Sequence, residues 1–306
     1  METALIKVFS FICIIGLGFC ISRSGKVPAG LGMSLSKLIF TVTLPCAIIH
    51  AFGTSEFNAA LIMLTGVGIA TTVLPYLIGL AVSWRRERGE RVLMLMNISG
   101  YNIGCFALPF VQALFPGGAA PLIVCLYDAG NALMMSGGSF AFTSALLEKG
   151  TPLLTRVQHA LQKLFSSVPF DLYLILIALS LVGLRIPEPV VQFVEPVAQA
   201  NSFLAMFMLG LLMHFSLDGS KVKQLMRLLG LRFFLCFAMS AAVYLWLPAD
   251  HVTRVVVAAL LWAPMGSLGP VYTMWGKGDG GLAGLANAIT IGVAIVAMTV
   301  IAMLFG

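Results

Sequence analysis

Ten charge-poor apolar stretches follow one another along the chain, at 5–21, 31–52, 58–83, 91–115, 119–146, 169–184, 196–216, 226–247, 253–275 and 281–305. No other feature constrains the fold so strongly. An apolar run of about 18 or more residues without charge reads as a membrane span. The first and sixth stretches are short, and most connections are brief. Of 306 residues, 59% are hydrophobic and only 10% charged, more apolar surface than a soluble domain can hide. The expected fold is therefore all-α, with ten transmembrane helices in the lipid bilayer and no room for a soluble domain. Only the connection 147–168 is long enough for an extra surface helix. Residues 8–20 could pass for a signal-peptide core, but only Lys7 precedes them, Glu2 opposes it, and no clean small-residue cleavage site follows before Arg23. We read a retained first span.

The net charge of +6 could suggest a nucleic-acid partner. Its distribution argues instead for a membrane. With ten spans, fifteen of the eighteen basic residues fall in even-side connections, including Arg85, Arg86, Arg88, Arg91, Lys149, Arg156, Lys163, Lys221, Lys223, Arg227 and Arg232; Lys7, Arg185 and Arg254 are on the other side. The positive-inside rule then puts both termini outside the cytoplasm. The basic run 84–91, "WRRERGER", is read as a topology anchor that could also touch anionic lipid heads. All six cysteines fall within spans and none forms a CxxC pair, so we read them as packing residues. The methionines form no tight cluster, and neither a metal nor an organic cofactor is expected.

Ten spans divide into five and five. An odd number per half makes the second half enter from the opposite face, the topology of an inverted repeat. The halves are 1–146 and 169–306, joined by a cytoplasmic connection at 147–168. Faint echoes fall near one offset: Asn102 and Gly104 precede Pro264 and Gly266 by 162 residues, and His50 precedes His214 by 164.

Spans four and nine are unusual. The fourth contains "YNIGCFALPF" at 101–110, and the ninth "APMGSLGPVYTMWG" at 263–276. Proline removes an amide donor and clashes with the carbonyl four residues back. Freed backbone groups cost several kcal/mol each in hydrocarbon unless protein or water satisfies them. Interruptions at corresponding places in two inverted halves point to broken, crossing helices at a midplane site. Their half-helix amino termini would favour an anion. The predicted substrate-binding residues are Asn102, Tyr101, Gly104 and Pro109 in span four, and Pro264, Gly266, Ser267 and Pro270 in span nine. Backbone groups are expected to dominate in the latter.

At this point the residues resemble a known family. "NIGCFALP" at 102–109 is similar to the Asn-to-Pro crossover motif of the auxin efflux carrier family. "LSKLIFTVTLPCAIIHAF" resembles its second span, with Leu44-Pro45 in place. The tail from "APMGSLGPVYTMWG" through "ANAITIGVAIVAMTVIAMLFG" resembles its ninth and tenth spans. The resemblance implies a ten-span crossover fold, also seen in bile acid/sodium symporters, that carries organic anions: auxin in plants, malonate- or malate-like carboxylates in bacterial relatives. Short connections resemble the bacterial branch, which implies the inner membrane. The resemblance also implies a homodimer, and a mechanism in which spans one, two, six and seven hold still while the others move. Plant members carry charged residues in span three, where this chain has Thr71 and Thr72, a departure that bears on auxin as substrate.

Asp128, in "LYDAGNALMM", is the only acidic residue well inside a span. It lies about 13 Å from the outer end of span five at roughly 1.5 Å per residue. Ionisable groups at such depth default to function: Asp128 could exchange a proton or join a sodium site. Asn131 shares its helix face. Asn287 and Thr290 place polar groups on span ten. His50, His159, His214 and His251 sit at span ends or in connections and are given no role.

Two other classes compete. An anion channel or a ligand sensor of the same fold fits the broken helices, and exchange acceleration separates a carrier from both. "LYDAG" at 126–130 and "GKGD" at 276–279 mimic intramembrane aspartyl protease motifs. Such catalysis needs carboxylates close enough to share a proton, and the topology puts Asp128 about 27 Å along a helix from the cytoplasmic mouth where Asp279 lies. No HExxH, GxSxG or P-loop pattern occurs. The expectation is a secondary or facilitated transporter, not an enzyme.

Overall fold

The computed structural model describes residues 2–28, 30–115, 117–147, 158, 162, 165–213 and 219–306. The expected surface helix within 147–168, with Lys149, Arg156, His159 and Lys163, lies outside the described residues, as does His214. The described chain is helical throughout, without strands. In order it forms α1 (Glu2–Arg23), α2 (Leu31–Thr54), α3 (Ala59–Ser83), α4 (Arg88–Asn97), α5 (Ile103–Leu114), α6 (Ala120–Leu133), α7 (Ser139–Leu147), α8 (Val168–Leu181), α9 (Glu188–Leu212), α10 (Val222–Trp246), α11 (His251–Leu260), α12 (Gly269–Trp275) and α13 (Gly280–Phe305).

Among the described residues, five helices are long and apolar enough by themselves to cross a bilayer: α1, α2, α3, α10 and α13. Their outward positions carry large apolar side chains. Phe9, Phe234, Phe237, Trp246 and Leu304 are each more than 60% exposed. Water would disfavour such a surface, whereas lipid accepts it.

Spans four and nine are each interrupted. Span four is α4 and α5 separated by non-helical residues 98–102; span nine is α11 and α12 separated by 261–268. Gly100 turns the first break with φ +81°, a conformation that favours glycine. Span five is interrupted too, which the sequence reading missed: a wide π-turn at Met134–Gly138, with Gly137 at φ +132°, separates α6 from α7.

Pro109 was expected at the break of span four. It is not there. It stands one residue beyond a five-residue π-turn, Ile103–Ala107, in which the Leu108 amide bonds the Ile103 carbonyl. The same arrangement recurs in α2, where a π-turn at Ile39–Thr43 precedes Leu44-Pro45 and the Leu44 amide reaches the Ile39 carbonyl. The wider turn absorbs the missing proline donor without breaking the helix.

The helices pack in two groups. In one, α9 lies along α1 and α2, and α8 joins α2. In the other, α6 packs on α3, α11 on α10 and α13, and α12 on α4 and α13. Close glycine seams hold each group. A β-carbon at Gly68 would press on the Tyr127 carbonyl oxygen, and one at Gly130 on that of Thr65, joining α3 to α6. Gly18 faces the Phe207 carbonyl and Gly210 that of Ile15, joining α1 to α9. Small residues let membrane helices approach at backbone distance.

Candidate functional site

The two breaks meet. The Asn102 amide donates to the Pro264 carbonyl at 2.9 Å, so the positions matched by the 162-residue offset are in direct contact. Each break is also caught by a side chain of the following span. Asn131 on α6 accepts from the Tyr101 amide at 2.9 Å and donates to the Tyr101 carbonyl at 2.9 Å. Thr290 on α13 accepts from the Met265 amide at 3.2 Å. Backbone groups freed by the interruptions thus find protein partners, as a break inside lipid demands.

A cavity of about 50 Å³ lies beside the crossing, lined by Phe40, Leu44, Tyr101, Asn102, Ile103, Gly104, Cys105, Asp128, Asn131, Ala132, Met135, Ser136, Ser167, Pro169, Tyr173 and Ser267. It falls between the two helix groups. Phe40, Leu44, Pro169 and Tyr173 belong to α2 and α8, and Ser167 stands at the start of α8; the remaining lining residues come from the stretches expected as spans four, five and nine. A water molecule claims roughly 30 Å³ in the liquid, so the cavity at this size holds water but not a dicarboxylate. Entry of a larger solute requires the groups to part.

Asp128 is buried in this cavity. Its Oδ1 accepts from Asn131 Nδ2 at 2.7 Å, and its Oδ2 from the Tyr173 hydroxyl at 2.8 Å. The second bond joins α6 to α8 and so spans the two groups. Gly104 allows the start of α5 to come close: a β-carbon there would lie 2.7 Å from Leu44 Cδ2 and 3.4 Å from Asp128 Oδ2. Asn102 is 4% exposed and its Nδ2 has no hydrogen-bond partner among the described residues. The first in-helix bond of this segment runs from the Ala107 amide to the Asn102 carbonyl at 3.2 Å. The amides of Gly104, Cys105 and Phe106 precede it, at the positive end of α5. An unpartnered amide donor beside a helix amino terminus is suited to a negatively charged oxygen.

Not every predicted site residue gathers here. Tyr101, Asn102, Gly104, Asp128, Asn131 and Ser267 line the cavity; Pro109, Pro264, Gly266, Pro270, Asn287 and Thr290 do not. Tyr101 lines the cavity with its backbone tied to Asn131 and its ring under Arg232. Gly266 faces the tip of Met135, as does Gly100, so that one methionine sits against both breaks. Pro270 opens α12. Thr290 braces the second break and donates to the Asn287 carbonyl at 2.8 Å. Asn287 Oδ1 is buried without a partner, as are Asn97 Oδ1 and Ser99 Oγ.

The sequence reading missed Arg232. It was counted with the basic residues of a connection, yet it lies inside α10 and is 2% exposed. Its guanidinium donates to the carbonyls of Asn97 at 3.2 Å, Ile98 at 3.0 Å, Gly100 at 3.1 Å and Ala263 at 3.2 Å. It also stacks 4.9 Å above the Tyr101 ring. A clear signal was available: the span counted at 226–247 contains this arginine, and an ionisable residue at depth is a functional hypothesis by default.

A larger cleft of about 410 Å³ between α10, α11 and α13 is lined by Phe237, Tyr244, Trp262 and other apolar groups. It carries no charge, and its Ser240 already donates to the Ala258 carbonyl at 2.9 Å; it has no chemistry to select a polar solute. Asp279 caps α13, accepting from the Leu282 amide at 2.9 Å and from Lys221 at 2.5 Å. Its partners are wholly distinct from those of Asp128, so the two carboxylates do not form a proton-sharing pair.

Residues 3–150 match the family model described as membrane transport protein, the auxin efflux carrier family. The resemblance seen in the sequence is borne out over that part of the chain. No curated protein matches the chain. The matched family and the apolar helices together identify an integral membrane protein and indicate a membrane transporter.

Proposed function

We propose that this protein carries small organic anions across the membrane by alternating access, with the seat at the crossing of spans four and nine. One observation carries the reading: Asn102, whose side-chain amide nitrogen has no partner among the described residues, lines the same cavity as Asp128, just before α5. The chain is read as ten spans in two inverted halves. Paired interruptions, the direct bond between them and the matching catches by Asn131 and Thr290 support this. The grouping of α1, α2, α8 and α9 fits a fixed scaffold, against which the remaining helices move.

An ionised Asp128 would repel an anion in the same cavity. The anion is therefore carried together with a proton on Asp128. When that proton leaves, the carboxylate accepts from Tyr173 and Asn131 and ties the two groups shut. The preferred solutes are mono- and dicarboxylates; a bacterial inner membrane, both termini outside the cytoplasm and a homodimer complete the reading. Removing Arg232 from the connections leaves fourteen basic residues against three, still a strong bias.

Labelled malonate, malate and indole-3-acetate, offered to proteoliposomes with and without an imposed pH gradient, test this. Uptake driven by inward proton flow and lost in Asn102→Ala is expected. Full uptake by Asn102→Ala would remove that residue from the seat. Counterflow separates the alternatives: a carrier accelerates exchange, while a channel or a sensor does not.

A further inference from the structure

Arg232 presents a buried cation with no carboxylate partner among the described residues. What surrounds it is a cage of carbonyl oxygens. Asn97 and Ile98 stand at the carboxyl end of α4, Gly100 lies inside the first break, and Ala263 follows the carboxyl end of α11. Two half-helices thus direct their negative dipole ends at one point. Four converging backbone oxygens at unwound helix ends are what a monovalent metal ion needs at a transporter midplane. Here a guanidinium on a side chain holds them instead. It is always charged, and its stack on Tyr101 holds it in place.

We infer that Arg232 is a tethered counter-ion: it permanently fills a cation seat between the two breaks, so that this seat takes no exchangeable sodium. The inference rests on the proposed transport at the crossing, and it narrows the coupling ion there to the proton. Arg232 is a positioning residue. It fixes Asn97, Ile98 and Gly100, and through them the entry to Tyr101 and Asn102.

The test needs no substrate, so it stands or falls separately from the transport reading. Thermal unfolding of the purified full chain is followed in choline, sodium or methylguanidinium chloride at equal ionic strength. Wild type should unfold at one temperature in all three salts. Arg232→Ala empties the seat; it should unfold at lower temperature and recover saturably, by about 5 °C or more, as sodium or methylguanidinium fills it. If Arg232→Ala does not fold, Arg232→Lys takes its place and should unfold at one temperature in all three salts, since its charge still fills the cage. Three results would overturn the inference: a saturable rise of the wild-type unfolding temperature in sodium, the same rise in Arg232→Lys, or an Arg232→Ala protein that responds alike to all three cations.

Discussion

The two breaks are alike in plan and unlike in chemistry. In the first, side chains do the holding and face the cavity: Asn131 grips both sides of the Tyr101 peptide, Arg232 takes three carbonyls, and Asn102 offers a free donor. In the second, backbone predominates. It gives the Ala263 carbonyl to Arg232 and the Pro264 carbonyl to Asn102, takes one bond from Thr290, and sends only Ser267 to the cavity. Two paired breaks can therefore share a geometry while the polar side chains collect beside one of them.

That contrast can be broken by substitution. Asn131→Leu strands the Tyr101 amide and carbonyl in a buried place, and should cost about 2–4 kcal/mol of stability. Thr290→Val removes the longer bond from the Met265 amide and the local one to the Asn287 carbonyl, and should cost roughly 1–2 kcal/mol. Unfolding in detergent measures both, and equal costs would erase the asymmetry. Asn102→Ala comes next. Losing a donor to a charged oxygen is worth about 1.5–3 kcal/mol, so anion affinity should fall about 10- to 100-fold, against about 2- to 10-fold for Ser267→Ala, at about 0.5–1.5 kcal/mol. Isothermal titration with malonate compares the two.

Tyr173→Phe has a smaller effect. It deletes one of two donors to Asp128, worth about 0.5–1.5 kcal/mol, and should shift the pH profile of uptake without abolishing transport. Asp128→Asn, by contrast, should flatten that profile. The smallest effect concerns the Lys221–Asp279 pair. Its hydrogen bond to Lys221 holds Asp279 below the usual carboxylate range. Both side chains are about one-third exposed, so Lys221→Ala should cost only about 0.2–1 kcal/mol. The sign follows from the depressed value. The stabilisation is present above an unfolded carboxylate value of about 3.9 and fades as pH falls through the folded value. Wild type and variant should converge in acid unfolding.

Much of this was legible in the residues. Apolar runs gave the membrane character, Asn102 and Gly104 marked one break, Pro264 and Gly266 the other, and the depth of Asp128 singled it out. Proline misled at Pro109, because a π-turn absorbed the lost donor and left the helix whole. Span five was read as continuous because its "SGG" at 136–138 is no stronger a breaker than other small-residue runs in the chain. Arg232 was hidden by a rule that sorts basic residues by membrane side, applied to a residue that is on neither side. Which polar groups share a cavity depends on helix rotation, which sequence spacing leaves open; hence Thr290 meets the second break at the Met265 amide while neither it nor Asn287 lines the cavity with Asp128.

The glycine seams have a mechanical consequence. Where Gly18 meets Gly210, and where Gly68 and Gly130 meet the Tyr127 and Thr65 carbonyls, main chains approach with no side chain between them to swing, so α1 with α9, and α3 with α6, are each held as one plate. In the proposed motion, displacement would be left to the layer of long, rotatable groups, where Phe40, Leu44 and Tyr173 line the cavity with Asn102 and Asp128. The plane of slip would then be set by where this chain places its smallest residues.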